Sequence, residues 1–257
     1  MARPIARTLE DAYRACEPDR PLSSDHPYYE DLTPGRGDHS VASLLRRFNL
    51  HQPAEEDEDA SFVRVAFLSH RGAGKTTELN QLSAQLRHRF HSIHLSANTK
   101  LHEQDIDAED LLFAVAVSVE EDARERGAPL PADVVQRVGE WFVEVVKTTT
   151  WAKGIEWSVS APTLPLFTRV TEKIGAVFRY SADHRVEVRQ ALRRQPTALV
   201  EAVNQLLAAA RVTLESEGRD LVVVIDNLDR YPPNVAKNLL IDQSAMVHDL
   251  KCHLIVT

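Results

Sequence analysis

The hydrophobic positions along this chain change period several times, and each change marks an element. Thr8–Ala15 and Val41–Phe48 carry short helical patterns. Phe62 to Leu68 alternates, with β-branched and aromatic members, and predicts a buried strand. From Thr76 to Phe90 the apolar positions Leu79, Leu82, Leu86 and Phe90 fall at helical spacing, and Ser92 to Leu95 predicts a short second strand. Asp107 is placed to cap a helix that runs to about Arg126 and ends at Gly127. Val134, Val138, Trp141, Phe142 and Val145 share one face of a helix from about Ala132 to Lys147. Pro196 suits a first helical turn, and the stripe Leu199, Val203, Leu206, Leu207, Ala210 and Leu214 follows, closed by Gly218. Leu221 to Ile225 is continuously apolar, the pattern of a central parallel strand covered on both faces. Asn234 to Leu250 reads as helical, and His253 to Thr257 begins a last strand.

Strands and helices therefore alternate. That order predicts an α/β fold of three layers, a parallel sheet flanked by helices. Residues 1–60 form a lead-in and 61–257 the main domain. The pattern breaks at 148–182, which holds Trp151, Trp157 and a weak alternation over Ile155–Ser160. We read about 148–195 as an insertion, helical or irregular. Its aromatics Trp151, Trp157, Phe167 and Phe178 are assigned to core packing, with an exposed partner surface as the alternative.

Composition narrows the functional classes. The net charge of −8 argues against broad binding to nucleic acid or a membrane surface. The basic clusters Arg87-His88-Arg89 and Arg193-Arg194 read as solvated helix faces, and the acidic run Glu55–Asp59 as a solvated loop. The longest apolar run, Leu111 to Val119, is far shorter than the ~20 residues that cross a bilayer. Cys16 and Cys252 have no metal-ligand spacing, and two lone thiols fit a reducing, cytoplasmic setting. His88, His91 and His94 alternate around a helix end and a strand and make no metal site.

The first chemical motif lies between the first predicted strand and the helix after it. Ser69-His70-Arg71-Gly72-Ala73-Gly74-Lys75-Thr76 follows the phosphate-loop pattern G-x-x-x-x-G-K-[ST], with Ser69 at the first glycine position. Such a loop wraps backbone N–H groups around phosphate oxygens, and Gly72 and Gly74 allow the backbone angles this needs. The following helix points its free N–H groups and positive dipole end at the same anion. Arg71, Gly72, Ala73, Gly74, Lys75, Thr76 and Thr77 are the nucleotide-binding candidates. Lys75 reaches the outer phosphates, Thr76 offers its hydroxyl to magnesium, and Thr77 can donate to an inner phosphate.

The second motif is Leu221-Val-Val-Val-Ile-Asp226, an apolar strand ending in an acid, followed by Asn227-Leu-Asp229-Arg230. An acid at such a strand tip is the Walker B form, and Thr76 with Asp226 is the candidate magnesium pair. Asn227 stands where many ATPases carry a water-polarising glutamate. An amide orients water but cannot take its proton, so Asp229 is the candidate substitute. Lys75, Asp226, Asn227 and Asp229 are thus the catalytic candidates. Arg230 is assigned to a salt bridge in preference to a phosphate contact or an arginine finger. Asp stands three residues before none of the nine glycines, and Thr99-Lys100-Leu101-His102 lacks a final acid, so the GTPase motifs are missing.

Leu68–Leu79 together with Val223–Arg230 resembles the bacterial AAA-type and STAND-type ATPases. Asp31-Leu-Thr-Pro-Gly-Arg-Gly37 is similar to the segment that contacts adenine in such families, which makes Arg36 a further binding candidate. The resemblance implies an ATP-driven switch using Mg-ATP, with a protein partner or self-association. A nucleotide-binding scaffold with little hydrolysis, or a DNA-processing ATPase, are the alternatives. It also implies the sheet order 5-1-4-3-2 and a polar sensor residue where Thr257 stands. A fifth strand and helical lid are expected to be lacking here, with weakened hydrolysis.

Overall fold

A computed structural model describes residues 6–15, 21–31, 41–51, 62–68, 70, 72–102, 105–153 and 165–257. Four strands form its sheet: β1 (Arg64–Ala66), β2 (Phe90–Ser96), β3 (Asp220–Asp226) and β4 (His253–Val256). The order across the sheet is β1-β4-β3-β2, and every pairing is parallel. The described helices are α1 (Leu9–Ala15), α2 (Val41–Leu50), α3 (Lys75–Leu86), α4 (Ala97–Lys100), α5 (Ala108–Glu125), α6 (Ala132–Val146), α7 (Leu166–Tyr180), α8 (Ala182–Arg193), α9 (Pro196–Glu215), α10 (Pro233–Lys237) and α11 (Ser244–His248). A 3-10 turn (Leu228–Arg230) follows β3, and a π turn (Asn238–Asp242) joins α10 to α11.

The side chains of β3 alternate between two cores, which is why its sequence is apolar without a break. Val222 and Val224, with Ile255 of β4, meet Val41, Leu44 and Phe48 of α2 and Leu79, Leu82 and Leu86 of α3. Leu221, Val223 and Ile225 face the larger core built by α5 to α9. The result is helix, sheet, helix. Three parallel strands thus send their carboxyl ends, at Ser96, Asp226 and Val256, to one edge of the molecule.

Several boundaries differ from expectation. The helix after the loop stops at Leu86, and Phe90 belongs to β2, whose apolar face it extends. The described part of 148–195 is mostly helical: α7 buries Phe167, Val170, Ile174, Val177 and Phe178, and α8 packs beside it. Phe167 and Phe178 are core residues, with Phe178 edge-on to Phe113 at 5.2 Å, and Trp151 is partly buried against the same core. Gly139 of α6 lets α7 come close: a Cβ there would lie 3.1 Å from the Phe167 backbone. Trp157, Ile155–Ser160, Glu55–Asp59 and Cys16 lie outside the described residues.

The stretch Phe62–Leu68, expected as a buried strand, forms only the short β1 with partly exposed side chains, and Leu68 is exposed. Several stops and starts hold. Asp107 caps α5 in a capping box with Asp110, Gly127 and Gly218 end their helices with φ of 71° and 72°, and Pro196 opens α9. The stretch 234–250 is three short pieces in place of one helix, with the π turn between them. No described helix is long and apolar enough to cross a membrane.

Candidate functional site

The site is built where β1, β3 and β4 end. The chain leaves β1 through His70, Gly72 and Ala73 and enters α3 at Lys75. Gly72 and Gly74 have φ of 80° and 81°, a left-handed geometry that a side chain resists. Among the described residues, its chain neighbours apart, no atom stands within 4 Å of where a Gly72 Cβ would sit, so the constraint there is the backbone angle. The Ala73 N–H donates to the His70 carbonyl at 3.2 Å, which closes the turn. Ser69, Arg71 and Arg36 lie outside the described residues.

Asp226, at the tip of β3, is only 5% exposed and collects donors. The Thr76 hydroxyl donates to its Oδ2 at 2.6 Å, the Thr257 hydroxyl to its Oδ1 at 2.7 Å, and the Asn227 N–H to Oδ1 at 2.7 Å. A buried carboxylate with this many donors is held in one orientation. β3 and β4 run in parallel register up to Ile225 and Val256, which places Thr257 beside Asp226.

Asn227 is the only described non-glycine residue with positive φ, at 70°. Asparagine tolerates that region better than most residues. Its side-chain amide donates to Ser96 Oγ at the end of β2, at 2.9 Å. The kink turns the chain back toward the loop and brings the 228–230 turn over it. There the Asp229 carboxylate meets Lys75 Nζ at 2.8 Å, and Nζ also donates to the His70 carbonyl at 3.2 Å. Lys75 is 7% exposed, so the ammonium is nearly out of water and needs these oxygens.

The lead-in also reaches the site. Thr77 Oγ1 accepts the Leu22 N–H at 3.1 Å, Asn80 Nδ2 donates to the Leu22 carbonyl, and Gln81 Nε2 donates to the Ser24 carbonyl. Residues 21–24 are therefore strapped to the first turns of α3. Nothing in the periodicity of the lead-in foretold this. Ser96 was also missed, though a serine at the tip of a strand flanking β3 is a signal that could have found it.

Other candidates fall elsewhere. Arg230 is exposed and has no carboxylate partner among the described residues. Arg193 is bonded to Glu109 and Asp107 rather than left as a free basic face. His91 bonds Asp122 and His94 bonds Ser83, each at 2.9 Å, and the described residues contain no group of three or more His, Cys, Asp or Glu fit for a metal. Cys252 is buried, which pushes its thiol up to about 12 and makes it inert.

Thr76 Oγ1 and the Asp226 carboxylate lie side by side as hard oxygen atoms, the donor type that a magnesium ion beside phosphate oxygens takes. No protein-family model, curated protein or solved structure matches this chain.

Proposed function

We propose that this chain binds Mg-ATP at the carboxyl ends of β1, β3 and β4 and acts as an ATPase or ATP-gated switch. The observation that carries the reading is the direct bond between Thr76, one residue into α3, and Asp226 at the tip of β3. It joins the two motifs, far apart in sequence, at one point. The sheet order β1-β4-β3-β2 supports it, since it equals the 1-4-3-2 part of the order that the resemblance to AAA-type and STAND-type ATPases implies.

In this reading each residue has a physical task. The amides of Gly72, Ala73 and Gly74 and the start of α3 cradle phosphate oxygens. Lys75 places its ammonium on the outer phosphates. Thr76 and Asp226 hold magnesium, which when bound supplies positive charge beside the phosphates. Thr257 and the Asn227 N–H fix the Asp226 carboxylate. Asp229 is the group able to take a proton from water near the outer phosphate.

A second reading has its own support. Asn227 offers no base, and Asp229 is engaged with Lys75, which favours a nucleotide-binding scaffold with little hydrolysis. A titration of the purified protein with a fluorescent ATP analogue in magnesium, beside Lys75→Ala, separates the cases. Binding lost in the variant with phosphate released supports the ATPase. Binding without release supports the scaffold. Folded protein that binds no nucleotide refutes both.

A further inference from the structure

We propose that Asp229 is an internal counter-ion that competes with the nucleotide for Lys75 and so sets its affinity. The inference rests on the Mg-ATP reading above and deepens it.

Lys75 Nζ has a carboxylate 2.8 Å away and a carbonyl 3.2 Å away, and its side chain is 7% exposed against 19% for Asp229. A nearly buried ammonium without an anion is costly, and Asp229 meets that need. The same ammonium is the only lysine of the loop motif, and outer phosphates claim it in the reading above. Two anions cannot share it at full strength. A triphosphate against Lys75 would face the Asp229 carboxylate at contact distance, with Asp226 already nearby as a fixed negative charge. Lys75 therefore exchanges one anion for the other when nucleotide binds, and the free energy of the Lys75–Asp229 pair is subtracted from the binding.

The backbone is arranged for this competition. The left-handed kink at Asn227, held by the Asn227–Ser96 bond, aims the short 228–230 turn at the loop. Asp229 is thus delivered from the strand that carries the candidate magnesium ligand, three residues after it. On exchange its carboxylate becomes available to water at the outer phosphate, so one side chain restrains binding and then serves the reaction.

Calorimetric titration of the full chain with ATP, ADP and AMP in magnesium tests this, using wild type, Asp229→Asn, Asp229→Ser and Lys75→Ala. Thermal unfolding of each variant reports whether it is folded. Loss of the competing charge is expected to tighten ATP and ADP binding roughly two- to fivefold, the range of one modest ion pair. AMP, which has no outer phosphate for Lys75, is expected to bind the aspartate variants and wild type alike. ATP binding equal to or weaker than wild type in whichever aspartate variant is folded overturns the inference, as does an equal gain for AMP. Wild-type binding that survives Lys75→Ala unchanged overturns the Mg-ATP reading itself, and the inference with it.

Discussion

Thr257 and Asp226 meet across neighbouring strands: the threonine hydroxyl donates to Oδ1 of the aspartate at 2.7 Å, and the same hydroxyl oxygen accepts the Asn227 N–H at 3.1 Å. Thr257 is 1% exposed, so water cannot take over either bond. Thr257→Val keeps the shape and removes both. A hydrogen bond to a charged group is worth about 1.5–3 kcal/mol. The variant is expected to lose about that much unfolding free energy in urea. An unchanged urea midpoint would show that Asp226 is held sufficiently by Thr76 and Asn227 alone.

The kink at Asn227 yields a paired prediction. At φ of 70° glycine is at ease and a β-branched residue is not. Asn227→Gly keeps the backbone and loses the bond to Ser96; Asn227→Val loses both. The valine variant is expected to be the less stable by about 1–2 kcal/mol, the order of a left-handed strain. Equal stability of the two in chemical unfolding would mean that the amide, not the angle, is what matters here.

At Gly139 of α6 the backbone of α7 comes close. A Cβ would sit 3.1 Å from both Cα and N of Phe167, and backbone atoms cannot swing aside as a flexible side chain can. Alanine is the better helix former by about 1 kcal/mol, yet overpacking costs about 1–3 kcal/mol. Gly139→Ala is expected to destabilise the protein by about 1 kcal/mol. A stabilised variant in thermal unfolding would show that α7 shifts freely on α6.

Much of this architecture was legible in the chain, and what was not has identifiable causes. β3 was legible because burial on both faces leaves only apolar residues, and the start of α5 because Asp107 and Asp110 cap it. The loop glycines and Lys75 were legible because they sit between a strand and a helix. α8 was not, because it is buried partly through charge: Arg185 and Arg189 are among its buried residues, and a hydrophobic pattern does not register them. The Lys75–Asp229 pair was not legible either. It depends on a single backbone angle at Asn227, which no periodicity encodes.

Those buried arginines carry a prediction of their own. Arg189 spans Asp110 and Asp105, bonding both Asp110 oxygens and the Asp105 carboxylate and carbonyl. Burial pushes the Asp110 carboxyl up to about 6, while the guanidinium pulls the other way. Arg189→Met strands a buried carboxylate, and breaking a buried pair from one side costs about 3–5 kcal/mol. Removing the guanidinium raises the Asp110 pKa further, so protonation relieves the loss as pH falls. The deficit relative to wild type is expected to be smaller at pH 5 than at pH 8. An equal deficit at both would place the cost in lost packing instead.

The last prediction concerns acid. His253 is buried among Phe62, Phe90 and His51, accepts the Val63 N–H through Nδ1 at 2.9 Å and faces Asp220 through Nε2 at 3.3 Å. A neutral ring with its proton on Nε2 satisfies both contacts, whereas protonation of Nδ1 would set two donors against each other. Burial holds the His253 pKa below the ordinary histidine value, with Asp220 pulling upward. Burial also pushes the Asp220 carboxyl up, but bonds from His253, Arg211 and the Leu221 N–H outweigh it and hold it well below the usual range. Both signs point the same way. The unfolded chain takes up a proton at His253 as pH falls through about 6.5 and the folded chain resists, so stability declines from there. Asp220 adds a second decline as pH falls below about 3.9. Urea midpoints are expected to drop between pH 7 and pH 5. His253→Gln, whose side-chain oxygen can still accept the Val63 N–H, is expected to start lower at pH 7 and to fall less steeply. A variant with the full wild-type slope would show that other histidines carry the acid response and that His253 is only a packing residue.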